Sequence, residues 1–273
     1  MNFIQAIVLS FYLVALNWIG YAAATDDKVY SFGVLNQQSA QLTAERWNPI
    51  LRHVSQVSGI RLLLRMAPTV QETDAAMGRG EYDFMFTNHI FQSAYERVGY
   101  RVLARAGGEL NYGVIIVTPE SPAQTLTDLQ GQPVAFPSAD AFMSYAATQV
   151  GLMKAGVAVQ AVFAGNQEGA VAQLRARRVV AASLHARLLL DYAQRENFQF
   201  RELYATPRYP ELAVIAHPRV ASRVADKVSA ALIGMNTGIE GAEILARSNF
   251  PGFEKASNAE YVSVRSVYKA IGK

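Results

Sequence analysis

Apolar and polar positions along this chain fall into one α/β pattern that is read twice, over residues 29–86 and again over residues 133–184. Each reading opens with a short apolar strand that stops at polar turn residues. These are Tyr30-Ser-Phe-Gly-Val34 before Asn36-Gln-Gln-Ser39, and Val134-Ala-Phe136 before Pro137-Ser-Ala-Asp140. An amphipathic helix closed by glycine follows, predicted over 42–59 in the first reading and 141–156 in the second. In the first helix Leu42, Trp47, Ile50, Leu51 and Val54 recur at helical spacing, which places Trp47 in the core. A second strand (61–66; 159–163), another helix and a third strand (82–86; 179–182) complete each unit. Two such units aim their strand ends at loops and leave a cleft between them.

The rest of the chain connects and covers these units. A helix over 91–98 leads to a strand at 101–104. Asn111-Tyr-Gly-Val-Ile-Ile-Val117 is a β-branched run apolar enough for burial on both faces, and it reads as the first crossing between lobes. Leu212-Ala-Val-Ile-Ala216, ended by Pro218, reads as the second. The tail over 219–238 carries Val220, Val224, Val228, Leu232 and Met235 as one helical stripe, and a last helix is predicted over 259–271; both are expected to pack on the first lobe. The expected fold is α/β, two mixed sheets flanked by helices and joined by two crossing strands. Residues 25–117 with 205–273 would form lobe one, and 118–204 lobe two. No Gly/Ser-rich linker separates them, so the crossing strands would serve as the hinge.

Composition narrows the class. The 273 residues carry a net charge of +3 and no cysteine. The charge is spread along the chain without a basic face, so no nucleic-acid partner is expected. Residues 1–24 lack a charged side chain, contain the apolar run Phe11-Tyr-Leu-Val-Ala-Leu16 and end in Ala22-Ala-Ala24, a pattern cut by signal peptidases. Cleavage after Ala24 is expected. The alternative, a retained anchor, needs about 20 apolar residues, and Gln5, Ser10, Asn17 and Gly20 interrupt the stretch. An exported chain without cysteine has neither disulfide nor lipidated cysteine. A solute receptor without that tether is retained by an outer membrane, so the expected location is the periplasm.

In open α/β sheets, ligands bind beyond the carboxyl ends of the strands, where loop amides and helix N-termini gather. That rule nominates Asn36, Thr69, Thr87, Asn88 and His89 in the first lobe. In the second it nominates Ser138, Asp140, Ala141, Phe142, Asn166, Gln167 and Ser183. These loops hold hydroxyls, amides and a few acids, with no lysine or arginine. Neutral dipoles can still hold an oxyanion by geometry. Asp140 and Glu168 stand at helix starts, where capping is the default role; facing the cleft, either would favour a neutral or amine-bearing ligand over a dianion. His89 leads the histidine candidates, weighed equally against a satisfied structural histidine; His185 holds the same place in the second lobe, and His53 and His217 read as scaffold. Scattered histidines give no metal-binding spacing, so no metal is expected. No cofactor or catalytic residue is expected either, because the chain lacks a cysteine nucleophile, a G-x-S-x-G elbow, a P-loop and a dinucleotide fingerprint.

Further motifs run through the mature chain: Phe32-Gly-Val34, Trp47-Asn-Pro-Ile-Leu51, Gly80-Glu-Tyr-Asp83, Asp128-Leu-Gln-Gly-Gln-Pro-Val-Ala-Phe136, Ala205-Thr-Pro-Arg-Tyr-Pro210, Gly252-Phe253 and Ala259-Glu-Tyr-Val-Ser-Val-Arg265. In order and spacing they resemble the phosphate/phosphite/phosphonate substrate-binding proteins of ABC transporters. The resemblance implies a type II periplasmic-binding fold that hands its solute to an inner-membrane permease; a monomer that closes on a small molecule is expected. The ligand loops depart from the family pattern. Ala141-Phe-Met-Ser144 stands where the family has Ser-Thr-Ser-Gly, and Gly165-Asn-Gln167 where it has Gly-Ser-His. The acid after the next helix falls at Val180, and Val70 and Thr87 occupy the places of first-lobe tyrosines. The ligand therefore stays open between an oxyanion and another small polar solute. Two other roles remain: a ligand-sensing partner of a two-component histidine kinase, and a secreted enzyme pairing His89 or His185 with Ser138, Ser144 or Ser183.

Overall fold

Two mixed sheets organise the chain in the computed structural model, which describes residues 28–35 and 39–273. The export segment expected over 1–24 and the candidate contact Asn36 lie outside the described residues. In chain order, the first unit is β1 (Val29–Val34), α1 (Ala40–Ser58), β2 (Arg61–Arg65), α2 (Val70–Gly78), β3 (Phe84–Thr87), the short α3 (Ser93–Glu96) and β4 (Arg101–Ala106). The second comprises β5 (Gly113–Val117), β6 (Pro133–Phe136), α4 (Thr148–Lys154), β7 (Gln160–Phe163), α5 (Gln167–Arg175), β8 (Ala181–His185), α6 (Ala186–Glu196) and β9 (Arg201–Ala205). The chain returns through β10 (Ala213–Ala216), α7 (Ser222–Gly234), α8 (Ile239–Arg247), β11 (Phe253–Lys255) and α9 (Val262–Ala270).

The first sheet has the order β11-β4-β10-β3-β1-β2 and the second β7-β6-β8-β5-β9. Within the first, β1 runs parallel to β2 and β3, while β10 inserts antiparallel between β3 and β4. The second repeats the device: β6 is parallel to β7 and β8, and β5 inserts antiparallel between β8 and β9. Both runs expected to cross between lobes are thus interior strands. Gly113–Val117, assigned to the first lobe by its sequence position, is paired into the second sheet. The physical reason is simple: burial on both faces marks a central strand as much as a crossing one. The crossings themselves are residues 107–112 and 206–212. They are tied together where Asn111 N–H donates to Tyr209 O at 2.9 Å and Tyr209 N–H to Asn111 O at 2.7 Å.

Helix α1 shows how the pattern sets a face. Its buried stripe is Thr43, Trp47, Ile50, Leu51 and Val54, whereas Leu42 is 52% exposed. Counting back from Trp47 by one turn reaches Thr43, so Leu42 is out of phase with the stripe. Ser39 caps the helix by accepting from Leu42 N–H, and Gly59 ends it at φ 71°, a left-handed conformation that glycine adopts without cost. Trp47 packs within 4.8–5.4 Å of Phe32, Phe86 and Phe250, aromatic pairs worth about 0.5–1.5 kcal/mol each beyond area burial. The helix predicted over 91–98 is split, because Gln92 is extended (ψ 139°) between a 3-10 turn at His89–Phe91 and α3. Elements α6, α8, β9 and β11 have no counterpart in the predicted pattern; β9 and β11 are edge strands bearing charged residues, which mask the strand periodicity.

Candidate functional site

A cavity of about 600 Å³ lies between the lobes. Its first-lobe wall is drawn from α1 and the residues after β3, and its second-lobe wall from the loops after β6, β7 and β8. Residues 210–212, at the end of the second crossing, also face it.

The helix expected over 141–156 begins as a π turn, Phe142–Ala147, before it becomes α4. Ala146 N–H reaches back to Ala141 O at 3.0 Å, the five-residue span that widens a turn. This turn is pressed against β5 at Gly113, where any Cβ would collide with the Met143 carbonyl oxygen. Glycine at 113 is therefore a packing requirement. Among the described residues, the N–H groups of Phe142, Met143 and Ser144 have no backbone or side-chain acceptor, and all three residues line the cavity. Ser138 lines it too, its hydroxyl without a partner among the described residues.

Opposite stands Asn88. It is buried, lines the cavity, and its Oδ1 accepts from Tyr268 OH at 3.4 Å. Burial pushes the Tyr268 hydroxyl well up, so it stays a donor. The Asn88 NH2 has no acceptor among the described residues.

His89 also lines the cavity, but both ring nitrogens are committed. Nδ1 lies 2.9 Å from each Asp74 carboxylate oxygen, and Nε2 lies 3.2 Å from the Asp140 backbone oxygen. The Asp140 carboxylate is held from the first lobe as well, by Gln71 Nε2 at 3.2 Å and Lys273 Nζ at 3.2 Å. Beside these bonds the Phe142 ring packs 5.1 Å from Tyr209 and 5.2 Å from Tyr268. Asp140 and Phe142 thus serve an interlobe seam, and Asp140 caps no helix.

Other nominated residues divide the same way. Gln167 lines the cavity as a brace, donating to Ser144 Oγ at 3.1 Å and accepting from His185 N–H at 3.0 Å. Asn166 also lines it, with Oδ1 capping α5 through Gly169 N–H at 2.7 Å. Ala141 contributes its backbone to the wall. Thr69, Thr87 and Ser183 are not brought to the cavity. Thr69 caps α2, Thr87 Oγ1 accepts from His89 N–H at 3.0 Å, and Ser183 donates to Thr148 Oγ1 at 2.9 Å. Glu168 turns outward to Arg195.

The loops hold no arginine, yet the cavity has two: Arg46 and Arg187. Both are on helices, Arg46 in the middle of α1 and Arg187 in the first turn of α6, outside the strand-end segments that the loop rule inspects. Arg46 is half-buried and has no hydrogen bond or ion pair among the described residues. Burial and the facing charge of Arg187 hold its guanidinium below the usual arginine value. Among the described residues Arg187 has one ion-pair partner, Glu211 at 3.9 Å. That carboxylate already accepts from Asn111 Nδ2 at 2.9 Å and lies 3.6 Å from His185 Nε2. Burial pushes the Glu211 carboxyl up, but His185, Arg187 and Asn111 more than offset it, leaving its pKa below the ordinary glutamate range. His185 Nδ1 is buried without a partner. A sequence signal existed for Arg46, which adjoins Trp47 on the inward stripe, and for Arg187, two residues past a nominated strand end.

Comparison with known proteins settles the family. The sequence profile of the ABC-transporter phosphonate periplasmic substrate-binding proteins matches residues 32–261. The chain belongs to that family. Its members are periplasmic transport receptors that deliver a small molecule to an ABC permease. In fold this phosphonate-family receptor is similar to PhnD1 of Prochlorococcus marinus in complex with methylphosphonate, at 15% identity and TM-score 0.76 over 90% of this chain and 99% of that one. It is also similar to a Xanthomonas citri protein bound to chloride (16%, 0.76, 89% and 98%). A third likeness is to the binding component of a Pseudomonas aeruginosa ABC phosphonate transporter (16%, 0.71, 89% and 86%). At such identities these structures show the shared two-lobed fold alone. No curated protein matches the receptor in sequence.

Proposed function

We propose that this receptor captures a tetrahedral oxyanion of the phosphonate, phosphite or phosphate type. The observation that carries the reading is a surplus of donors on one cavity: the Asn88 NH2, the Ser138 hydroxyl and the amides of Phe142, Met143 and Ser144 all lack an acceptor among the described residues. Donors without acceptors in a partly buried site favour an anion, and the start of a helical run adds about 0.3–1 kcal/mol. Asn88 belongs to one lobe and the other donors to the opposite one, so only a closed cleft satisfies the ligand from both sides. The solute then passes to an ABC permease, from a monomer exported with cleavage after Ala24. The altered stretch Ala141-Phe-Met-Ser144 favours, as a second reading, a sensor kinase in the permease's place.

Melting curves with methylphosphonate, phosphite and orthophosphate test the ligand. Binding at a hundred times Kd stabilises by about 2.7 kcal/mol, and Asn88→Ala should remove most of the shift. If none of the three moves the midpoint at millimolar concentration, the oxyanion assignment is lost. Uptake into vesicles carrying the cognate permease separates delivery from sensing, and mass spectrometry of the exported chain should find Thr25 first.

A further inference from the structure

We propose that the cleft is built for a ligand with two separated anionic groups on a short apolar linker, the second clamped between Arg46 of one lobe and Arg187 of the other. The inference rests on the oxyanion reading and names the ligand class that the same cavity would take. The two guanidiniums line one cavity from opposite lobes. An arginine facing a cavity from the inward side of an amphipathic helix is ordinarily paired, and Arg46 has no partner among the described residues. Their like charges act on each other across the cavity, a repulsion that grows as water is excluded. A carboxylate or phosphoryl group between them relieves the repulsion and accepts forked hydrogen bonds from both sides.

Local acids do not fulfil this role. Glu211 is shared among Asn111, His185 and Arg187, and Asp140 is engaged by Gln71 and Lys273 in the seam. Asp191, one turn along α6 from Arg187, faces the cavity without an ion pair to either arginine. The cavity lining also includes the apolar side chains of Trp47, Phe86, Phe250 and Leu212, which suits a carbon linker. Size agrees. A cavity of about 600 Å³ falls within the roughly 300–1,000 Å³ of sites that enclose ligands well beyond a single tetrahedral ion.

Titration calorimetry on the whole exported protein with methylphosphonate and with 3-phosphonopropionate, which adds a carboxylate two carbons away, tests this. The dianionic-plus-carboxylate probe should bind about 10- to 100-fold tighter, the range for a new charge-assisted contact. Arg46→Gln and Arg187→Gln, made separately so that each lobe is tested, should each collapse that preference towards unity, with melting of the unliganded variants checked alongside. Equal affinities in the wild type, or a preference that survives both substitutions, overturns the two-group assignment while methylphosphonate binding keeps the oxyanion reading intact. Failure of methylphosphonate and 3-phosphonopropionate alike removes that reading and this inference with it.

Discussion

The two ends of the interlobe cleft are built on opposite principles. At the α9 end the protein answers its own polar groups: His89 bridges Asp74 and the Asp140 carbonyl, Lys273 and Gln71 hold the Asp140 carboxylate, and Phe142 packs between Tyr209 and Tyr268. At the α1–α6 end it leaves charge unanswered, with Arg46 unpaired among the described residues and Arg187 3.9 Å from an already shared Glu211. The seam belongs to folding stability, and the open end is where we place recognition. A satisfied buried group contributes to the fold, whereas an unsatisfied one at a cavity costs stability until something binds.

Substitutions ranked by expected effect can break that contrast. Phe142→Ala should cost about 3–5 kcal/mol in urea unfolding, like the core substitution Phe84→Ala. A loss below about 1 kcal/mol at Phe142 alone would mean that the seam opens independently of the folded unit. Gly113→Ala forces a Cβ onto the Met143 carbonyl and should cost about 3 kcal/mol, the upper end of overpacking penalties; a neutral result would show the π turn free to shift. Asp74→Ala strips His89 Nδ1 of its acceptor and should cost about 2 kcal/mol, whereas no change would move His89 from seam to ligand site.

Asp83, just ahead of β3 and away from both cleft ends, supplies a reference with a known sign. Burial raises its pKa, but hydrogen bonds from Arg219 and from the Ser31 amide and hydroxyl prevail and leave it below the ordinary aspartate value. A depressed carboxylate stabilises above its unfolded pKa and loses that contribution as pH falls through the folded value. Asp83→Asn should therefore cost about 1 kcal/mol at neutral pH, with wild-type and variant melting curves converging below about pH 4. Arg46→Gln should change the unliganded protein least, within about 0.5 kcal/mol. A large loss there would return Arg46 to the scaffold.

Much of the fold was legible because its units are local. Strand ends at Val34 and Phe136, the glycine stop at Gly59 and the valine stripe of α7 all follow from spacing along a short stretch. The crossings were misplaced because Gly113–Val117 and Ala213–Ala216 bear the same apolar signature as any strand covered on both faces. The candidate site was legible in part. Asn88, Ser138, Phe142 and Gln167 come to the cavity from strand-end loops, while Thr69, Thr87 and Ser183 turn to caps and core bonds. A hydroxyl in a loop looks the same in sequence whether it meets a ligand or its own backbone.

Sequence alone determined the doubled α/β plan, the helix faces and the family likeness, since hydrophobic periodicity and short motifs are properties of neighbouring residues. Only the tertiary structure decided which polar groups remain unmet. Arg46 and Arg187 are separated by most of two lobes along the chain, and their shared cavity exists only once both sheets are formed and the paired crossings hold them face to face.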